Sequence, residues 1–355
     1  MAQLADGENL TRRQAAILER ALRQFQPELE DRVVVVTGGA RGLGRVMAEG
    51  LLRTRARVVC ADKTWEGSED FQESLNASNR SLAIEMDVTD GAAVDRGLSS
   101  TLGKFATVDV LINNAGLVSE TWFAPHGHVK TLDTTDHDWE AMFGVNVFGT
   151  VKVIRRFVAP MLEKASGSIL NILSSGVLTT SIGGGFFGAR PWTVEMPYQA
   201  TKAALSALTF YLAQEVRSEG IRVNALMPGH TRASWFDETA RAFQEGGGIY
   251  ALRPLTADHV LPLVYFLCAG GDDSFEAVSG RLYHTPDWNY DHGYGDVRLW
   301  GDYNLPADLD EQYKRLEAAL PDYWRSGLAR APFDVERVAY ATTMEKLRSE
   351  EAEST

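Results

Sequence analysis

Tyr198 and Lys202 stand four residues apart, in a run through Ala203, Leu205, Leu208 and Leu212 that has helical spacing. Residues four apart share a helix face, so a phenol and an ammonium would lie side by side. A free tyrosine has a pKa of about 10, too high for a base at neutral pH, and a neighbouring ammonium favours the phenolate. Lowering that value by about three units takes roughly 4 kcal/mol of differential stabilisation. Such a pair can take a proton from a hydroxyl or return one to a carbonyl oxygen. Ser174 ends the strand-like run Gly167-Ser168-Ile169-Leu170-Asn171-Ile172-Leu173. Its hydroxyl can bond the same oxygen while the proton moves. Each feature has a plainer explanation: an exposed helical pair, and a turn at a strand end.

These groups need a frame, and the frame starts near the front of the chain. The apolar run Val33-Val34-Val35-Val36 leads into Thr37-Gly38-Gly39-Ala40-Arg41-Gly42-Leu43-Gly44 and then a helical pattern. Gly38, Arg41, Gly42, Leu43 and Gly44 are therefore candidates to receive a nucleotide pyrophosphate on a tight turn and a helix N-terminus. A second strand, Arg57-Val58-Val59-Cys60-Ala61, ends in Asp62, 18 residues after Gly44. A carboxylate there accepts bonds from ribose hydroxyls and repels a 2′-phosphate, which favours NAD over NADP. Lys63 and Arg41 pull the other way, since either can pair with a phosphate. Strand-like runs at 33–37, 57–61, 81–86, 108–112, 167–173, 221–227 and 280–284 alternate with helical ones. The alternation predicts an α/β fold, a Rossmann-type doubly wound parallel sheet in a single domain. Ligands in such sheets bind beyond the carboxyl ends of the strands, where all these residues fall.

Taken in order, the glycine turn, Asp62, Asn113-Asn114-Ala115-Gly116 after Val108–Ile112, Asn146, Ser174 and the Tyr198/Lys202 pair resemble the short-chain dehydrogenase/reductase family over roughly residues 31–284. The resemblance implies hydride exchange between a nicotinamide and a secondary alcohol or ketone. It makes Asn146, Ser174, Tyr198 and Lys202 the catalytic set, with Tyr198 the base, or the acid in reduction. It assigns Lys202 also to the ribose hydroxyls and Asn146 to a water in the proton relay. Asp87-Val88 matches the adenine-contacting pair of the family. Asn114, Ala115 and Gly116 match its turn supporting the adenosine side, where the asparagine also serves sheet stability. Pro228-Gly229 ends the strand Val223–Met227, and Thr231 is the residue left to meet the carboxamide, because His230-Thr231-Arg232-Ala233 departs from the usual pattern. The resemblance further implies a homodimer or homotetramer.

Other departures border the substrate. Gly116 to Asn146 is long and carries Trp122, Phe123, His126, His128 and Lys130; Ser174 to Tyr198, 24 positions, includes Gly183-Gly184-Gly185-Phe186-Phe187-Gly188-Ala189-Arg190-Pro191-Trp192. Glycines would let that loop move and aromatics would let it clamp. Trp122, Phe186, Phe187, Trp192 and Trp235 point either to a bulky ring-shaped substrate or to loop packing. Arg190 and Arg232 would bind a substrate anion or form surface ion pairs. His126-x-His128 and His284/His292 have loose spacing and no Cys or Glu cluster beside them, so no metal is expected.

Residues 1–30 contain a capping-box pattern, Thr11-Arg12-Arg13-Gln14, an apolar face of Leu10, Ile17, Leu18, Ala21, Leu22 and Phe25, and a stop at Pro27. This helix packs outside the core or reaches a neighbouring subunit. Residues 285–355 form an extension: an aromatic, turn-rich stretch to Tyr294, helical patterns at Leu309–Leu320 and Val335–Leu347, and a charged end, Ser349–Thr355. It covers its own active site or a neighbour's.

Among 355 residues the formal net charge is −13, which disfavours nucleic acid and anionic membrane as partners. Two cysteines, Cys60 and Cys268, support neither a disulfide framework nor a four-cysteine metal site and are expected as buried thiols. No apolar signal core and no membrane-length run is seen, so the expected compartment is the cytoplasm. Three functions fit: a dehydrogenase of a small-molecule secondary alcohol, an epimerase, lyase or dehydratase with retained NAD and transient oxidation, and a binding protein on the same fold. The intact Ser174/Tyr198/Lys202 set argues against the last.

Overall fold

A computed structural model describes residues 7–125, 127, 129–180, 196–250, 252–270, 278–320, 343–344, 346–347 and 349. The loop Gly183–Trp192, His126, His128, most of the Val335–Leu347 pattern and the chain after Ser349 lie outside the described residues.

Seven strands form one parallel sheet in the order β3-β2-β1-β4-β5-β6-β7. They are β1 (Val33–Thr37), β2 (Arg57–Asp62), β3 (Ser81–Glu85), β4 (Val110–Asn113), β5 (Gly167–Ile172), β6 (Ile221–Met227) and β7 (Leu282–His284). All seven expected strands are present, with ends shifted by at most two residues. The central strand needs no polar face because helices cover both sides. Val34 pairs with Val58 on one neighbour and Val110 on the other. Alternation along the strand sends Val34 and Val36 into one core and Val33 and Val35 into the other. All four are wholly buried, each contributing roughly 1.5–3 kcal/mol of hydrophobic burial.

The first core contains α1 (Gly7–Leu29), α2 (Gly42–Arg53) and the helix Leu261–Ala269, through Leu18, Ala21, Met47, Leu51, Leu263 and Leu267. The second takes Val94, Val153, Phe157 and Ala213 from three helices on the opposite face. The sheet order reverses between β1 and β4, and the crevice above their carboxyl ends is the position where this topology takes a ligand.

Helix α1 lies against the core of its own chain, the first of its two expected placements, but its bounds differ from expectation. It begins at Gly7, so Thr11 is an exposed interior residue rather than a cap. Nothing between Gly7 and Leu10 breaks a helix, and Leu10 lies seven residues before Ile17 on the buried face. Pro27 does not end it either. In the last turn a proline forfeits one backbone bond, and fully buried Leu29 holds the chain beyond it.

The stretch read as turn-rich after β7 is a short helix, Thr285–Asp291, followed by turns. Trp288 stacks between His292 and Tyr294, at 4.3 and 5.4 Å between ring centroids. Three side chains of α1 engage this segment: Gln14 donates to the Leu299 carbonyl, Arg20 to that of Gly293, and Gln24 accepts from the Tyr294 hydroxyl. A third core joins Phe236, Ile249, Tyr250 and Leu252 to Leu309, Tyr313 and Leu316 of the helix Ala307–Ala319. Arg253 is buried at its edge with two carboxylates, Asp310 at 2.7 Å and Glu317 at 2.6 Å. Cys60 and Cys268 are buried free thiols, as expected. Burial raises both thiols, Cys268 up to about 12, so neither is reactive at neutral pH. Among the described residues no helix is long and apolar enough to cross a membrane.

Candidate active site

A cleft of about 860 Å³ runs across the carboxyl ends of the strands. Every residue expected to bind cofactor lines it except Gly44; of the four catalytic candidates Ser174, Tyr198 and Lys202 line it as well, while Asn146 is buried outside its lining. At one end, helix α2 opens at Gly42 behind an extended Arg41. Gly38 and Gly42 have positive φ, 65° and 55°, which a side chain would strain. A Cβ on Gly44 would strike the Gly38 carbonyl, so the turn closes tightly on the helix. A Cβ on Gly42 would meet nothing within 4 Å, which leaves the backbone there open to an approaching ligand.

Neighbouring strand ends brace this turn. Asp62 accepts the Ala40 N–H at 3.0 Å. Asn114 donates to the carbonyls of Thr37 and Gly38, both at 3.0 Å. Thr37 accepts the N–H groups of Asn114 and Ala115 through its hydroxyl. Burial works against the Asp87 carboxylate, but bonds from Thr89 and the Lys63 ammonium 3.1 Å away outweigh it and hold its pKa below the usual range. Lys63 is thereby drawn toward Asp87. Among the described residues Arg41 has no ion-pair partner.

The helix Tyr198–Glu215 starts at the other side of the cleft, behind Pro197. Lys202 is buried, its Nζ 5.5 Å from the Tyr198 ring centroid and 2.8 Å from the Ile172 carbonyl, to which it donates. Burial lowers its pKa from 10.5 to about 8. Ser174 Oγ accepts from the Gly176 N–H at 3.2 Å and from Gln199 Nε2 at 3.0 Å. Asn146 lies in a π-helical turn, Gly144–Gly149. Its amide exchanges bonds with the Leu117 backbone, 2.7 Å in and 3.0 Å out, and donates to Thr201 Oγ1 at 3.0 Å. Thr201 in turn donates to the Tyr198 carbonyl. Asn146 thus ties the turn after β4 to the first turn of the tyrosine helix.

After β6, the Pro228 carbonyl faces buried His259 Nε2 at 2.6 Å, and Gly229 has φ 80°. Thr231 Oγ1 is buried in the cleft wall with no hydrogen-bond partner among the described residues. The open backbone at Gly42 and the glycine turn at the N-terminus of α2 fit a dinucleotide laid across the strand ends.

One wall of the cleft is aromatic. Trp235 and His230 meet the Tyr250 ring edge-on, at 6.3 and 5.3 Å, and the Tyr250 hydroxyl donates to Glu120 at 3.0 Å. Trp122 lines the same wall and donates to Asp138 at 2.7 Å. Arg232 pairs with Asp237 at 2.9 Å and Asp302 at 3.0 Å, the ion-pair alternative of its two expected roles. His284 lies 3.2 Å from Asp287, and His292 bonds the Trp288 carbonyl.

Sequence reasoning missed Gln199, His259, Glu120, Tyr250 and Arg253, whose partners are distant in the chain. It also left open whose site the extension covers. Leu255 bridges to Thr231 on one side and Gly301 on the other, which brings Val297, Arg298, Gly301 and Tyr303 into the wall of the chain's own cleft.

Strand order, glycine turn and tyrosine–lysine pair define a nucleotide-dependent oxidoreductase of the α/β class. The family model for short chain dehydrogenases matches residues 32–243, and the chain belongs to that family. It is 57% identical over 347 residues to a fluoren-9-ol dehydrogenase of Terrabacter sp., covering 98% of this chain and 96% of that one. It is 31% identical over 250 residues to a meso-2,3-butanediol dehydrogenase of Serratia marcescens, covering 69% and 90%. The structure of a 3-ketoacyl-(acyl-carrier-protein) reductase from Brucella melitensis complexed with NADH superimposes with a TM-score of 0.57 at 25% identity, covering 72% of this chain and 97% of that one. The chain is an alcohol-acting oxidoreductase that uses a nicotinamide cofactor.

Proposed function

We propose that this enzyme oxidises a bulky secondary alcohol set between rings, of the fluoren-9-ol type, to the ketone, with NAD as acceptor. One observation carries the reading. The likeness to the fluoren-9-ol dehydrogenase spans 98% of the chain, including the C-terminal extension, whose Val297, Arg298, Gly301 and Tyr303 line the cleft, whereas the butanediol dehydrogenase matches 69%. The aromatic wall of Trp122, Trp235 and Tyr250 supports it, since flat rings pack well against aromatic faces.

In this reading the core, 31–284, holds cofactor and chemistry, 285–355 shapes the alcohol end, and 1–30 packs outside the core. Gly38, Arg41, Gly42, Leu43 and Gly44 receive the pyrophosphate, Asp62 the adenosine ribose, and Asp87 and Val88 the adenine. Asn114, Ala115 and Gly116 support that side; Tyr198 and Lys202 meet the nicotinamide ribose; Pro228, Gly229 and Thr231 meet the carboxamide. Asp62 at the ribose position and the engagement of Lys63 with Asp87 support NAD over NADP. When bound, the nicotinamide supplies the hydride acceptor. Tyr198 takes the hydroxyl proton, and the buried Lys202 ammonium beside its ring favours the phenolate. Ser174 bonds the substrate oxygen, and Asn146 holds the water through which the proton leaves.

The test is initial rates at 340 nm with fluoren-9-ol, cyclohexanol and butan-2-ol, each with NAD and NADP. The expected result is a kcat/KM at least about 100-fold higher for the tricyclic alcohol with NAD, roughly what about 3 kcal/mol of extra apolar contact supplies. Equal or faster oxidation of the small alcohols would overturn the proposal.

A further inference from the structure

We infer that Gln199 is a positioning residue that makes Ser174 a hydrogen-bond donor toward the reacting oxygen. The inference rests on the reading that Ser174 touches that oxygen. A serine hydroxyl has one proton and two lone pairs. In this site both lone pairs are engaged, by Gln199 Nε2 at 3.0 Å and the Gly176 N–H at 3.2 Å. The proton is what remains, and it is left to point into the cleft that Ser174 and Tyr198 both line.

The direction of that bond decides its value. A serine accepting from the alcohol stabilises the neutral ground state. A serine donating stabilises the oxygen as it gains negative charge while Tyr198 removes the proton, and equally the carbonyl oxygen in reduction. Gln199 directly follows Tyr198 on the same first helical turn, so one element fixes both the base and the direction of the serine bond. Gly176 completes the arrangement. A Cβ at that position would collide with the Gln199 amide, so the turn leaves room for the amide to reach Ser174.

The experiment compares the full-length enzyme with Ser174→Ala, Gln199→Leu, Gln199→Glu, Gly176→Ala and the double variant Ser174→Ala/Gln199→Leu. It measures kcat and KM for fluoren-9-ol with NAD, with NADH binding by fluorescence as a check on the fold. Ser174→Ala is expected to lose about 100-fold in kcat, the usual effect of deleting one oxyanion donor. Gln199→Leu frees a lone pair and loses about tenfold, with NADH affinity unchanged, and Gly176→Ala does the same. Gln199→Glu presents an acceptor, turns the serine proton away from the substrate and falls to the level of Ser174→Ala. Its ratio to the wild type narrows from pH 8 to pH 5 as the carboxyl gains a proton and can donate. In the double variant the leucine adds no further loss. Wild-type activity in Gln199→Glu, or losses that multiply in the double variant, would overturn the role of Gln199 while leaving the proposed reaction standing. Full activity in Ser174→Ala would instead overturn the serine's assignment, and this inference with it.

Discussion

Replacing Lys202 with Met should stop the reaction without unfolding the enzyme. The ammonium is buried, and burial brings its pKa from 10.5 to about 8. At 1.36 kcal/mol per pH unit, the charged form costs the folded state about 3 kcal/mol relative to the unfolded chain. The folded value lies below the unfolded one. The cost is therefore fully present below pH 8, fades as the pH rises from 8 to 10.5, and is gone above that. Methionine has similar length and no charge, so Lys202→Met removes this cost. It also strips the Ile172 carbonyl of its donor, which costs about 1–3 kcal/mol. The balance at pH 7 runs from roughly zero to about 2 kcal/mol in favour of the variant. Urea denaturation at pH 7 and pH 10 reads it: the variant should match or exceed the wild type at pH 7, and its advantage should shrink at pH 10. Turnover should fall about 1,000-fold, within the span attributed to acid–base catalysis. A variant more than about 2 kcal/mol less stable at pH 7 would mean that Lys202 is mainly a structural tether. One with full turnover would remove it from the chemistry.

Three further outcomes follow from the same geometry. Tyr198→Phe should abolish turnover while NADH affinity, followed by fluorescence titration, stays within about threefold; substantial residual oxidation would show that another group is the base. Asp62→Ala should raise KM for NAD about tenfold and narrow the NAD-to-NADP ratio, because it removes both the ribose acceptor and the brace on Ala40; steady-state kinetics with an unchanged ratio would refute the cofactor assignment. Arg253→Met leaves Asp310 and Glu317 without their buried partner and should cost about 3–5 kcal/mol in chemical denaturation, whereas an unchanged midpoint would show the cluster to be energetically idle.

The inner strands were legible because each is a short apolar run buried on both faces, a pattern set by local composition; the edge strands β3 and β7 are only partly buried. The Tyr198/Lys202 pair and the glycine turn were legible because helical spacing and strand–turn–helix order are local too. Legibility stopped where partners are distant. Gln199 meets Ser174 across 25 residues and Arg253 meets Glu317 across 64, and nothing in their own neighbourhoods announces it. Arg232 was open to an anion or to ion pairs, and the sequence did not point to Asp302, 70 residues on, as a partner. The bounds of α1 were misread for a related reason. Local stop and start signals at Thr11 and Pro27 were outweighed by burial of Leu10 and Leu29 against the rest of the molecule. Helix propensity is a weak term beside tertiary packing.

The central claim is direct hydride transfer from the carbinol carbon of a ring-flanked alcohol to the nicotinamide, with Tyr198 taking the hydroxyl proton. Oxidation of fluoren-9-ol deuterated at carbon 9, with NAD, tests it most directly. The account predicts reduced nucleotide accumulating in step with the ketone, deuterium recovered in the nucleotide, and loss of the reaction in Tyr198→Phe. Ketone without deuterium in the nucleotide, or deuterium returned to an alcohol product with no net NADH, would contradict it.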